Sequence, residues 1–373
     1  METIELPRVP RRRVDSHKGD YGKVLIIGGS ETMIGAPALA ALAACRSGAG
    51  LCRIATPKEI LPFALTICPS ATGFALHARD LKGLLEFADR HDAVAVGPGF
   101  GNSAASRRVV LELLERHSGP LVLDADALNI LSSLEASEWP KRRNWSNVVL
   151  TPHAGEFMRL MGAVMKRGGD MASAGRAQNQ SLPETPRGDS PGPGASSDAA
   201  ASESPPGRGG KTRSLSEDDV PSTADGIPLE IDAESAESTN SGGDATPPDD
   251  LRAGSLATGA PDRSALAELL SRSTGCVVVL KGHRTVVAEG KRLAVNPTGN
   301  PAMATAGVGD VLTGVITALI GQGFGCAEAA LLGVYVHGLA GDMAAEQIGP
   351  AGLLATDIIA LLPRARAARL EPI

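Results

Sequence analysis

The strongest constraint on the fold is an alternation of two patterns. Short apolar runs at Lys23–Gly28, Leu51–Ala55, Ala93–Gly97, Leu121–Asp124, Val148–Thr151, Cys276–Lys281 and Thr285–Ala288 read as buried strands. Between most of them lie helical patterns, at Gly35–Ser47, Ala104–His117, Arg263–Ser273, Val311–Leu319 and Ala327–Gln347. A strand that is apolar throughout is buried on both faces, which calls for helices on both sides of a mostly parallel sheet. The expected class is therefore α/β. Ligands of such sheets bind beyond the carboxyl ends of the strands. Several of these runs stop at Gly, Asp or Lys, so the unusual residues gather at that edge.

The alternation is interrupted once. Residues 166–262 hold 11 Pro, 14 Gly and 14 Ser, no aromatic residue, and only 9 of Leu, Ile, Val and Met. So little apolar surface does not offset the entropy of ordering, and the stretch reads as a disordered insert. It carries 17 Asp and Glu against 8 Lys and Arg, a charge of −9, which leaves +3 of the chain's −6 for the remainder. The expected organisation is an N-terminal extension over 1–17, one discontinuous domain over 18–165 and 262–365, and the acidic insert over 166–261. Deleting residues 170–258 is expected to leave folding and activity intact. Within the insert, Gly207–Thr212 imitates a phosphate loop, but Pro205 occupies the position of its first glycine and no strand precedes it.

A pI near 5.7 and ten aromatics in 373 residues argue against a nucleic-acid binder. Cysteines at 45, 52, 68, 276 and 326 form no CxxC pair, so neither a zinc site nor a disulfide framework is expected. No run suits a signal peptide or a membrane span, and a cytoplasmic enzyme is the expectation.

The strongest local signal runs from Asn296 to Asp310, Asn-Pro-Thr-Gly-Asn-Pro-Ala-Met-Ala-Thr-Ala-Gly-Val-Gly-Asp, ahead of an apolar helix. Small residues followed by a helix start make a site for phosphate or a developing anion. Asp310 could take a proton from a hydroxyl under attack; read alone, it is an N-cap. Lys281, at a strand end before Gly282, is placed to bind phosphate or simply to face solvent. His153 and Glu156 stand at a strand-to-helix junction; His153 could hydrogen-bond a substrate and Glu156 favours the first helical turn, and read alone the structural role is the better one for both. Gly28-Gly29 and Gly97-Pro98-Gly99-Phe100-Gly101 are glycine turns without the dinucleotide fingerprint. Asp124 and Asp126 could hold Mg²⁺ through waters, or serve as a cap and a turn residue.

Taken in order, HKGDYGKVLIIGGS, GPGFG, LDADALN, TPHAGEF, VVLKG, NPTGNPAMATAGVGDVL and HGLAGD resemble the ADP-dependent NAD(P)H-hydrate dehydratases of the ribokinase-like superfamily. The resemblance covers roughly Ser16–Ala163 and Asp262–Pro363. It implies a three-layer α/β/α fold and a repair enzyme that removes water from the S-epimer of hydrated NADH or NADPH. ADP would be the co-substrate, Mg²⁺ would bridge the transferred phosphate, and AMP and phosphate would be released. Carried over residue by residue, Asp310 resembles the base on the hydrate hydroxyl, and the amides of Ala306, Gly307, Val308 and Gly309 the anion hole. Lys281, Gly282, His283, Arg284, Thr285 and Gly309 would contact the nucleotide. Ala36, Gly99, Gly101, His153 and Asp310 would line the hydrate. The Mg²⁺ ligands are left open.

Ala302, Ala306 and Val308 stand where the family more often has Gly, Gly and Thr or Ser. Alanine at 306 is excluded only if that position needs a positive φ. The resemblance also implies a homo-oligomer, a tetramer in relatives, and pairing with a separate epimerase. Two other readings compete: a small-molecule kinase of the same superfamily, and a nucleotide-sensing module without turnover.

Overall fold

The computed structural model describes residues 2–77, 80–142, 144–179 and 262–370. A ten-stranded sheet forms the middle layer, in the order β1 (Glu2–Thr3), β10 (Arg292–Val295), β9 (Val286–Glu289), β8 (Val277–Leu280), β7 (Val148–Leu150), β6 (Leu121–Leu123), β5 (Ala93–Val96), β2 (Lys23–Ile27), β3 (Leu51–Pro57), β4 (Thr72–Leu76). All neighbours pair in parallel except β9, which is antiparallel to both β8 and β10. β7 and β8 flank the long intervening segment in sequence, yet pair with Val149 opposite Val277.

Side chains alternate across the sheet as the pleat requires. Val24, Ile26, Val122, Val149 and Val279 face one helical layer, formed by α1 (Gly35–Arg46), α2 (Leu61–Ile67), α8 (Val308–Gly321), α9 (Cys326–Ile348) and α10 (Ala355–Ala367). Leu25, Ile27, Leu121, Leu123, Val148 and Leu150 face the other. That layer holds α3 (Leu81–Ala88), α4 (Ala104–Arg116), α5 (Asp126–Ser132), α6 (Ala154–Asn179) and α7 (Arg263–Thr274). This is the three-layer ribokinase-like arrangement. α1 is rich in alanine, so α8 approaches it closely: a methyl group at Gly314 would lie 1.9 Å from the Ala40 carbonyl oxygen.

Two boundaries differ from the sequence reading. α6 runs on to Asn179, past the expected start of the insert at 166. Residues 171–178 hold three Ala and one each of Met, Arg and Gln, and a helix already begun propagates through such residues; the average over the whole low-complexity stretch hides them. Residues 1–17 are not a detached extension either. β1 extends the sheet, Val9 bridges Leu370, and Ile4 and Val9 are buried because their side chains face the apolar layer. The remainder of the insert, with Gly207–Thr212, lies outside the described residues. No helix among the described residues is long and apolar enough to cross a membrane.

Candidate active site

The strands on either side of the switch in strand order, between β2 and β5, end one residue earlier than the apolar runs suggest. β2, β5, β6, β7 and β8 stop at Ile27, Val96, Leu123, Leu150 and Leu280. Gly28, Gly97, Asp124, Thr151 and Lys281 therefore stand at the mouth of the crevice rather than inside the sheet. Gly97 has φ 126°, and a methyl group there would lie 1.8 Å from the Asp124 carbonyl oxygen. Only glycine lets these two strand ends meet.

Lys281 is the centre of the charged group. Its Nζ donates to Asp124 Oδ1 at 2.6 Å and lies 3.9 Å from Glu156 Oε2. A methyl group at Gly309 would stand 3.5 Å from that nitrogen. The second oxygen of Asp124, Oδ2, accepts from Thr313 Oγ1 at 2.6 Å. Asp124 is only 1% exposed, so both oxygens need these partners. Burial alone would lower the pKa of Lys281, but Asp124, Glu156 and Asp310 hold it above the ordinary lysine value. The next residue, Ala125, has φ 47° and ψ −116°, a strained conformation for a residue with a Cβ. Its turn aims Asp124 at Lys281 and lets Asp126 open α5, where Oδ2 accepts the Gly101 N–H at 2.7 Å.

Asp310 is half-buried in the first turn of α8. The helix begins at Val308 with Gly307 as its N-cap, so Asp310 is the third helical residue rather than the residue before the helix. Gly307 adopts φ 84°, which favours glycine, and no side chain caps the helix. Val311 makes the first intrahelical bond, to the Gly307 carbonyl at 3.1 Å, so the N–H groups of Val308, Gly309 and Asp310 precede it. Burial pushes the Asp310 carboxyl up to about 7; Asp124 and Asp126 raise it, and Lys281 opposes them.

The loop into this helix is fastened from α9. Asp342 accepts from the Gly299 N–H at 3.0 Å and from Asn300 Nδ2 at 2.9 Å, while Asn300 Oδ1 accepts the Ala302 N–H at 3.0 Å. Neither Ala302 nor Ala306 has a positive φ, so alanine is compatible with the backbone at both positions. Val308 packs its side chain into the apolar layer, leaving only its amide for a ligand. His337 lies beneath, buried; burial, opposed by the Val308 carbonyl, brings it down to about 4.

His153 and Glu156 form a reciprocal cap on α6. His153 Nδ1 accepts the Gly155 N–H at 3.0 Å, and Glu156 Oε2 accepts the His153 N–H at 2.8 Å. Glu156 thereby links the exposed His153 to Lys281. Beyond Lys281 the backbone is held by Arg263, which donates to the carbonyls of Leu280 and Lys281 at 3.1 Å and of His283 at 2.5 Å. Gly282 has φ 140° and Arg284 φ 53°. Gly282, His283 and Arg284 are exposed, and Thr285 Oγ1 donates to the Gly282 carbonyl at 2.9 Å. Across the crevice Ala36 is buried, and a methyl group at Gly99 would lie 3.0 Å from its Cβ. Lys281 thus meets Gly309 directly and feels the charge of Asp310; Gly101 joins this group through Asp126 and His153 through Glu156. Thr313 was not singled out from sequence, because a threonine on a buried helix carries no local signal; Asp342 closes the HGLAGD motif, but the motif alone gave it no role. Among the described residues no three His, Cys, Asp or Glu side chains are arranged to hold a metal ion.

Comparison with known proteins identifies the frame around this group. The family model described as NAD(P)H-hydrate dehydratase matches residues 24–185 and 252–364, well over half of the chain. The chain belongs to this dehydratase family. A bifunctional NAD(P)H-hydrate repair enzyme of Moorella thermoacetica is 33% identical over 372 residues, covering 95% of this chain and 51% of that protein. The chain spans about half the length of such bifunctional relatives. An ADP-dependent (S)-NAD(P)H-hydrate dehydratase of Neisseria meningitidis is 31% identical over 359 residues, covering 95% of this chain and 88% of that one. Among solved structures, an ADP/ATP-dependent NAD(P)H-hydrate dehydratase from Bacillus subtilis, co-crystallised with ATP and Mg²⁺, has a TM-score of 0.62 and 25% identity, covering 97% of this chain and 94% of that one. A ribokinase-like protein from Enterococcus faecalis, 22% identical with a TM-score of 0.64 over 98% and 93% of the two chains, shares the fold.

Proposed function

We propose that this chain dehydrates the S-epimer of NADH or NADPH hydrate, using ADP and releasing AMP and phosphate. The observation that carries the reading is Asp310: a carboxyl raised to about 7 stands in the first turn of an uncapped helix, close to Lys281 and Gly309. A carboxyl of that strength, about half ionised at neutral pH, accepts in its ionised form the hydroxyl proton of the hydrate as the hydrate oxygen attacks the β-phosphorus of ADP. The bond to the bridging oxygen breaks and AMP leaves. The amides of Ala306, Gly307, Val308 and Gly309 face the charge on the transferred group, and Lys281 offsets it. Phosphate then departs with the former hydroxyl oxygen as the ring nitrogen donates its pair, and a proton lost from the adjacent ring carbon restores the double bond.

Gly282, His283, Arg284 and Thr285 hold the nucleotide; Ala36, Gly99, Gly101 and His153 hold the hydrate. Asp124, Asp126, Glu156 and Asp310 gather around the Lys281 ammonium, a concentration of negative charge that fits a nucleotide carrying Mg²⁺. Asp124 is fully engaged by Lys281 and Thr313, so Asp126 and Asp310 would hold the ion through waters, leaving the rest of its sphere to phosphate. Bound there, Mg²⁺ supplies charge neutralisation on the phosphates. The expected setting is a cytoplasmic homo-oligomer, with an epimerase supplying the reactive epimer.

The test follows absorbance at 340 nm with NADPH hydrate, Mg²⁺ and either ADP or ATP. A rise with ADP, accompanied by AMP and phosphate, is expected. A stable phosphorylated product without absorbance gain would make the protein a kinase; binding of ADP with no turnover would make it a sensor.

A further inference from the structure

Residues 296–307 join β10 to α8 and contain one short helical turn, at Pro301–Met303. Among the described residues, every side-chain hydrogen bond between this loop and another element goes to α9. Asn296 Nδ2 donates to the Val334 carbonyl at 3.2 Å, Thr298 Oγ1 donates to the Tyr335 carbonyl at 3.0 Å, and Asp342 accepts from Gly299 and Asn300. α9 is cut away beneath the loop: a methyl group at Gly338 would collide with Thr298 Oγ1, and one at Gly341 with Met303 Sδ. Past the turn the fastening changes. Ala304 and Thr305 donate their N–H groups to the carbonyls of Pro301 and Met303, at 3.0 and 2.9 Å, and Gly307 then stands as the N-cap of α8. Among the described residues no side-chain hydrogen bond holds Ala304 to Gly307, so the amides that follow take their direction from the turn at 301–303.

We infer that Asp342 is a positioning residue for the phosphoryl transfer: it fixes the Asn300 amide, and through it the turn that aims the amides of Ala306 to Gly309 at the transferred group. The inference rests on the proposed function for the identity of that group. A carboxylate accepts hydrogen bonds and donates none, so Asn300 must present Nδ2 to Asp342 and Oδ1 to the Ala302 N–H. An amide at position 342 removes this polarity. Its own N–H group can take Asn300 Oδ1 for itself, and the Ala302 N–H at the start of the turn then loses its partner. Donors to a developing charge work only when held in place before the charge appears, so a loosened turn weakens the hold on the transferred group. The hold on the nucleotide is spared, because Gly282 to Thr285 lie on a different loop.

Calorimetric titration compares two probes: ADP, and orthovanadate added to protein saturated with AMP and Mg²⁺, where vanadate stands in for the transferred phosphoryl group. The proteins are the wild type, Asp342→Asn, and the exchange that combines Asn300→Asp with Asp342→Asn. In the exchange the new amide at 342 accepts the Gly299 N–H and donates to the new carboxylate at 300, which accepts the Ala302 N–H, so all three bonds return. Asp342→Asn is expected to weaken vanadate about tenfold or more with ADP affinity and stoichiometry held, and the exchange to recover vanadate binding. Vanadate binding that is absent or unaltered, equal weakening of both probes, or no recovery in the exchange would each overturn the assignment. If Asp342→Asn lowers the ADP stoichiometry, Asn300→Ala decides, since it removes the link to Ala302 and leaves the bond from Gly299: selective loss of vanadate supports the assignment, and any other result overturns it. Turnover of NADH hydrate is measured separately. Vanadate binding that responds to Asp342→Asn without any turnover keeps the positioning role and removes the dehydration; turnover with vanadate binding indifferent to the substitution does the reverse.

Discussion

Lys281 and Asp124 stand 157 residues apart in sequence and 2.6 Å apart in space. One follows the first strand after the intervening segment, the other follows the second strand before it, and the parallel register brings both to the same edge. The pair also sets the electrostatics of Asp310, since Asp124 raises its carboxyl and Lys281 lowers it.

Asp310→Asn is expected to abolish turnover by a factor of about 10²–10⁴, the usual worth of a general base. It should also stabilise the protein. The Asp310 pKa rises from an ordinary carboxylate value to about 7 on folding, so the folded state binds more protons and loses stability as pH rises between those values. The variant should therefore melt higher than wild type at pH 8, with the difference vanishing near pH 4. Equal melting temperatures at both pH values would contradict the raised carboxyl.

Turnover should rise with pH through about 7, because Asp310 acts as the base only when ionised. Lys281→Met removes the cation that holds this pKa down, so the acid limb should move to higher pH. The substitution also leaves Asp124 without its ammonium partner, at a stability cost of about 3–5 kcal/mol for a buried pair. A limb that stays in place would separate Lys281 from the electrostatics of Asp310.

Thr313→Val deletes the donor to Asp124 Oδ2 while nearly conserving volume. A loss of about 1–3 kcal/mol in unfolding free energy is expected, with weakened ADP binding as Asp124 and Lys281 reorient. Thr313→Ser restores the hydroxyl and should recover both; denaturant titration and calorimetry decide.

Gly314→Ala tests the contact of α1 with α8. The added methyl group meets the Ala40 carbonyl, so the helices must separate, at about 1–3 kcal/mol. A lower melting temperature with normal ADP binding at low temperature is the expected pattern.

The sheet was legible where the chain is uniformly apolar. β2, β3, β5, β6, β7, β8 and β9 all coincide with runs visible in sequence. β4 is an edge strand that begins Thr72-Gly73, both exposed, and carries no such run. α5 has seven residues and α2 likewise, too few to establish a helical period. At the site, Lys281 and Gly101 stood out as a charge and a glycine just past strand ends, and Gly309 and Asp310 as the close of a small-residue run ahead of an apolar helix. The partners of Asp124 were not: its opposite fate, engaged by Lys281 and Thr313 on both oxygens, depends on a turn at Ala125 that no residue preference announces.

The bridge between Val9 and Leu370 gives the chain the character of a closed ring. Arg369 tightens the join by donating to the Leu6 carbonyl at 3.1 Å. β7 and β8, which flank the intervening segment, meet edge to edge in the sheet. A circular permutant with residues 1 and 373 linked and opened between residues 180 and 261 would break none of the described strand pairings. For this architecture, the order in which the polypeptide is read is separable from the neighbourhoods it builds.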